Sequence, residues 1–250
     1  EAQDLTIPQL KLIAALGQNR PNSLFFAGDL GQRIFQPGFS WKALGIDLRG
    51  RSSSLKINYR TSHQIRRQAD RLLDAEISDS DGNIDDRSDT ISLFNGPEPV
   101  VELFDEQEDE NTFVAKKVRA WLDANIAPEE IGIMVRSHEQ FDRAEAALKE
   151  ARAEFNAMSR AMEWVTGKVS LCTMHLSKGL EFRNVVLMAC DDDVLPLKDR
   201  LEAVMGDEQA MKEVNDTERH LFYVACTRAR DELVITSAGM ASDYLDDLLG

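Results

Sequence analysis

Apolar positions along this chain of 250 residues fall into two rhythms. Short continuous apolar runs at 100–104, 131–135, 169–173, 185–188 and 233–236 have the length of strands buried on both faces. Shorter runs at 24–27, 54–57 and 154–157 predict further strands. Between them, apolar residues return every three or four positions. That spacing predicts helices over 7–16, 62–75, 108–124, 139–151 and 217–227. Strand and helix alternate through most of the chain. This implies an α/β fold, a parallel sheet with helices on both faces.

Four segments break the apolar pattern with polar chemistry. In Glu218-Arg219-His220-Leu221-Phe222-Tyr223-Val224-Ala225-Cys226-Thr227-Arg228-Ala229, the residues Leu221, Phe222, Ala225 and Ala229 share one helix face. Arg228 therefore sits at a helix end, just before the run at 233–236. A planar fork of donors on a rigid support, free to reach out, suits a transferring phosphoryl group. A lone arginine there would more simply pair with a carboxylate. Upstream, Leu24-Phe25-Phe26-Ala27-Gly28-Asp29-Leu30-Gly31-Gln32-Arg33-Ile34-Phe35 leads an apolar run into a glycine turn with a carboxylate and an amide. Leu55-Lys56-Ile57-Asn58-Tyr59-Arg60 ends a strand on an aromatic and an arginine. Val169-Ser170-Leu171-Cys172-Thr173-Met174-His175-Leu176-Ser177-Lys178-Gly179-Leu180-Glu181-Phe182 ends a strand on a polar loop.

In this order these segments resemble motifs III, IV, V and VI of the UvrD/Rep family of superfamily 1 DNA helicases. Glu1-Ala2-Gln3-Asp4 resembles the tail of motif II. The resemblance runs from Glu1 to Thr236, and its last two motifs are the most specific. It implies a RecA-like fold of the P-loop NTPase type. Residues 1–50 would be the end of a first RecA-like motor domain and 51–250 the second. It also implies roles. Glu1 matches the carboxylate that activates the attacking water, and Gln32 the glutamine that senses the terminal phosphate. Arg60 and Arg228 match two arginines that contact that phosphate. Tyr59 matches the aromatic stacked on adenine, and Glu181 the glutamate that bonds the ribose. Thr173 and His175 match groups near the DNA backbone, with a hydrogen-bonded loop histidine as the plainer account of His175. Phe35 and Trp41 correspond to aromatics that stack on bases. Here, however, the two are separated by five residues. Trp41 then either reaches DNA from a reshaped loop, leaves that to Phe39, or packs in the core.

The resemblance further implies ATP with Mg²⁺, single-stranded DNA as a partner, and 3′ to 5′ movement. No residue here is assigned to a metal. No Gly-x-x-x-x-Gly-Lys-Ser/Thr loop occurs in the chain. The phosphate-binding half and a magnesium ligand are therefore expected from an upstream motor domain, and the chain alone is expected to hydrolyse ATP poorly. The family carries a large helical insertion before motif V. Residues 155–168 leave room for a turn or a short helix only. The rival expectation is a non-catalytic DNA- or partner-binding module derived from a helicase. The presence of Gln32, Arg60, Glu181 and Arg228 argues against a decayed motor.

Charge tempers the nucleic-acid reading. The net charge is −15, whereas phosphate contacts favour a basic surface. The acid is concentrated at 79–89, 102–110, 191–193 and near Asp246. Arg49, Arg51, Lys56, Arg60, Arg66, Arg67 and Arg71 lie close in sequence. A strand gripped by base stacking in a narrow channel tolerates an acidic exterior. No apolar run approaches the roughly 18 residues a membrane helix needs, and the composition fits a cytoplasmic globular protein. Three scattered cysteines in apolar settings predict reduced core residues, with neither a disulfide framework nor a zinc site.

Overall fold

A computed structural model describes residues 1–17, 20, 22–36, 39–48, 50–74, 76–78, 84–86, 90–159 and 163–249. In chain order the elements begin with α1 (Ile7–Gly17), the short strand β1 (Ile57–Asn58) and α2 (His63–Ala69). The strands β2 (Glu76–Ser78), β3 (Ile84–Asp86), β4 (Ile91–Ser92) and β5 (Val100–Phe104) follow. Next come α3 (Gln107–Asp123), β6 (Ile131–Val135), α4 (Phe141–Glu150), β7 (Phe155–Ala157), β8 (Val169–Thr173) and β9 (Phe182–Leu187). The chain closes with α5 (Lys198–Glu202), α6 (Glu208–Cys226), β10 (Ala229–Ala238) and α7 (Asp243–Leu249).

Strands β5 to β10 form one six-stranded sheet in the order β5-β10-β9-β6-β8-β7. Every pairing in it is parallel. Successive strand residues point to opposite faces, so a strand buried on both sides must be apolar throughout. Strand β6 is buried at all five positions. Its Ile131, Ile133 and Val135 pack with Val114 and Val118 of α3 and Ala144 and Leu148 of α4. Its Met134 faces the other way, with Cys172, Leu187 and Ile235, toward Ile65 of α2, Phe222 of α6 and Tyr244 of α7. The two cores account for the helices on both faces. Gly132 lets β6 approach β9: a Cβ there would meet the Phe182 ring at 2.9 Å.

The runs at 100–104, 131–135 and 169–173 are strands over those very residues. Other boundaries differ. The helix expected over 217–227 begins nine residues earlier, at Glu208, where Asp207 caps it by accepting from the Ala210 N–H at 3.0 Å. The helix expected over 62–75 ends at Ala69 and continues as a 3₁₀ turn to Leu72. The strand expected at 54–57 is only Ile57–Asn58, paired with β4. Residues 24–27 are not a strand. A strand needs a neighbour to share its ladder, and among the described residues the bond from Ala2 N–H to the Ala27 carbonyl, at 2.9 Å, joins no sheet. Phe25 is left 92% exposed. Between Phe155 and Lys168 the described residues hold β7 and a turn, with no helix. Much of the acidic 79–89 stretch lies outside the described residues.

Candidate functional site

A cleft of about 1200 Å³ opens between residues near the N-terminus and the C-terminal end of α6. Gln3, Asp29, Gln32, Tyr59, Arg60 and Arg228 are among its lining residues. They come from positions up to 225 residues apart, brought together by the fold.

Gln32 closes the 3₁₀ turn Leu30–Gln32, which Asp29 caps by accepting from the Gly31 N–H at 2.9 Å. Gln32 Nε2 donates to Asp29 Oδ2 at 2.8 Å, leaving its Oε1 toward Arg228 Nη2 at 3.4 Å. Arg228 is not the free guanidinium that its place at a helix end suggested. It is 1% exposed, at the junction where α6 ends and β10 starts at the next residue. Its Nε donates to the Val224 carbonyl at 2.9 Å and its Nη1 to the Leu180 carbonyl at 3.3 Å. Burial, and then the neighbouring Arg60, pull its pKa down to about 10, so it stays charged at neutral pH.

Arg60 is about half exposed and pairs with Glu181 through its Nε at 2.9 Å. The Asn58 side chain accepts from the Arg60 N–H at 2.8 Å and shapes the turn that follows β1. Tyr59 is 69% exposed at the mouth of the cleft. Its open ring could take a planar base.

The loop after β8 joins motif to motif. Gly179 takes a positive φ of 85° in its turn, a conformation that favours glycine. Lys178 Nζ donates to Asp4 Oδ1 and to the Gln32 carbonyl, both at 2.6 Å. It lies 4.0 Å from Glu1 Oε2. Burial pushes the Asp4 carboxyl up; burial also works against ionised Glu1, but the neighbouring Asp4 carboxyl and the Lys178 charge outweigh it and hold Glu1 down. Glu1 also accepts from Gln3 Nε2 at 2.8 Å. Lys178 is the residue that reading the sequence missed. The only signal was a lysine between a serine and a glycine in a polar loop.

The four residues expected at DNA separate into two kinds. Phe35 is 52% exposed, and its ring lies 6.2 Å from that of His175. Burial, reinforced by the charge of Arg136, pulls His175 down to a pKa of about 4, so it is neutral at physiological pH. Thr173 and Trp41 are buried. The Thr173 hydroxyl accepts from the Leu176 N–H at 3.3 Å and so braces its own loop. Trp41 packs between Phe26 and Phe39, with ring centroids 5.0 and 4.9 Å away. The run of basic residues is largely consumed internally. Arg66 bonds the Thr90 carbonyl and Asp70, Arg67 pairs with Glu98, and Arg71 donates to the Leu248 carbonyl. Among the described residues no group of three or more His, Cys, Asp or Glu could hold a metal ion, and no helix is long and apolar enough to cross a membrane.

A six-stranded parallel sheet covered by helices on both faces, with a cleft beside the C-terminal end of α6, defines an α/β domain. The chain belongs to the family of UvrD-like helicase C-terminal domains, which matches residues 53–162 and 156–239. It is 45% identical over 69 residues to the putative ATP-dependent DNA helicase YjcD of Bacillus subtilis, covering 27% of this chain and 9% of that protein. It is 38% identical over 90 residues to the ATP-dependent DNA helicase PcrA of the same organism, covering 35% and 11%. The matches thus span about a tenth of these relatives. The crystal structure of the C-terminal domain of a possible DNA helicase from Lactobacillus plantarum WCFS1 superposes with a TM-score of 0.52 at 20% identity. That superposition covers 76% of this chain and 94% of the other, and bears on the fold alone.

Proposed function

We propose that this chain supplies the second half of an ATP-driven motor that moves 3′ to 5′ on single-stranded DNA. Residues 1–50 would close a first RecA-like domain, and 51–250 would form the second. The observation that carries this reading is the meeting of Gln32, Arg60 and Arg228 in one cleft, with Glu1 and Asp4 tied to it through Lys178.

In this account the cleft takes the nucleotide. Tyr59 stacks on the adenine and Glu181 turns from Arg60 to the ribose. Freed of that carboxylate, Arg60 joins Arg228 on the terminal phosphate. Two guanidinium forks there stabilise the charge that develops as the phosphoryl group transfers. Glu1 orients the attacking water. Gln32 touches Arg228 already and so reports the state of the phosphate across the cleft. Mg²⁺ would neutralise the phosphates, with ligands expected mainly from the phosphate-loop half of the motor. Phe35 and His175 lie where a strand would run past the loop after β8. Thr173 shapes that loop from beneath, and Trp41 stiffens the base of Phe39.

The test is Arg228→Lys in the chain joined to its phosphate-loop half. Lysine keeps the charge and loses the fork, so turnover should fall roughly 10³-fold while binding of oligo(dT) persists. Near-normal turnover in that variant would sink the assignment.

A further inference from the structure

Lys178 stands where three features meet. Its side chain is 6% exposed. On one side it bonds Asp4 and the Gln32 carbonyl, and Glu1 lies 4.0 Å away. On another it sits 5.2 Å from the centroid of the Phe35 ring. Phe35 is half exposed, so part of its surface is open to a partner. An ammonium has three donors and no acceptor. Asp4 and Gln32 take two of them, and the π-face of the ring offers the charge a third attraction.

The geometry points to Lys178 as the positioning residue that couples a base stacked on Phe35 to Glu1 and to the Gln32–Arg228 contact. This rests on the motor reading above and adds a route to it. A base laid on the open side of Phe35 fixes the ring over the ammonium and strips water from it. An ammonium in a drier setting binds its remaining acceptors more strongly. Those acceptors lead directly to the chemistry. The Glu1 carboxylate lies 4.0 Å from the same ammonium, and the Gln32 side chain accepts from Arg228. Occupancy of the strand is then felt at the water-activating carboxylate and at the arginine, though neither touches DNA. Coupling of this kind requires a contact that differs between the occupied and empty states. The Phe35–Lys178 contact is that element.

The test measures ATP turnover, without DNA and at saturating oligo(dT), in the chain joined to its phosphate-loop half. Wild type, Lys178→Met, Phe35→Leu and the double variant are compared. The stimulation ratio should fall by roughly fivefold or more in each single variant, within the usual range of allosteric coupling, and no further in the double. Phe35 is exposed, so its variant remains informative if Lys178→Met folds poorly. A lysine that merely braces the fold would lower both rates together and leave the ratio unchanged. An unchanged ratio in both single variants, or losses that multiply in the double, would overturn the coupling while leaving the motor reading intact. A wild-type protein with no DNA-dependent turnover would remove the motor reading itself, and the coupling with it.

Discussion

Glu218 is a fully buried carboxylate that accepts four hydrogen bonds, and replacing it by glutamine should destabilise the protein strongly. It is 0% exposed on α6. Its Oε2 accepts from Arg136 Nε and its Oε1 from Arg136 Nη2, both at 2.6 Å, a bidentate pair. Oε1 also accepts from Arg200 Nη1 at 2.6 Å, and Oε2 from the Leu197 N–H at 3.3 Å. Arg136 is itself only 4% exposed, so the variant leaves a buried cation without its anion. It also turns an amide donor toward guanidinium donors. Breaking a buried pair from one side costs about 3–5 kcal/mol. Arg200 is more open and adds little, since exposed pairs are worth about 0–1 kcal/mol. With a urea dependence of about 3 kcal/mol per molar, the unfolding midpoint should fall by roughly 1–1.7 M. Burial alone would raise the Glu218 carboxyl, but the bonds to Arg136 outweigh it and hold it below its ordinary range. A depressed carboxyl stabilises the fold at neutral pH and loses that effect as pH falls through its folded value. The gap between wild type and variant should therefore narrow in acid. Glu218→Met with Arg136→Met should recover most of the loss, because an apolar pair of similar volume removes both charges. Urea titration by far-ultraviolet circular dichroism measures all three. A midpoint shift below about 0.3 M in Glu218→Gln would place this pair among the weak exposed ones and refute the reasoning.

Gly132→Ala should cost about 1–3 kcal/mol by the same titration, because the new methyl meets the buried Phe182 ring at 2.9 Å and Phe182 has Trp164 stacked against it; an unchanged midpoint would show that the β6–β9 contact is loose. The three thiols should be silent to a disulfide reagent at neutral pH and all react once unfolded. Burial lifts Cys172 to about 12 and raises Cys190 and Cys226 further from reactivity, so one fast-reacting thiol in the native protein would contradict the described core. His175 should show no protonation by nuclear magnetic resonance between neutral pH and pH 5, since burial keeps it neutral down to about 4; a midpoint near 6.5 would place its ring in open solvent.

The strands of the large sheet were legible because their burial on both faces leaves a continuous apolar run that few other structures produce. Strands β5, β6 and β8 match their apolar runs residue for residue. The run at 24–27 shows the converse. Apolar character states a demand for burial, but a ladder needs a neighbouring strand, and Phe25 stays exposed without one. The pairing of β2 with β3 inside an acidic stretch had no alternation to announce it. At the cleft, the residues themselves were visible in the sequence. Their distances were not, because each bond joins segments far apart in the chain. Spacing placed Arg228 at a helix end, yet only the fold brings the Val224 and Leu180 carbonyls to its guanidinium and buries it. Trp41 could have faced a partner or the core from its position alone. Phe26 and Phe39 on either side of it hold it in the core. Lys178 carried no periodic signal at all, since a long side chain reaching across a cleft leaves no pattern along the chain.

The central claim is that this cleft forms half of a nucleotide-driven DNA motor. The most direct measurement is ATP hydrolysis, with and without single-stranded DNA, by this chain and by the chain joined to an upstream phosphate-loop half. The account predicts that the chain alone is nearly inactive and that the joined protein turns over ATP with stimulation by DNA. A joined protein that folds, binds the strand and yet hydrolyses nothing would contradict it.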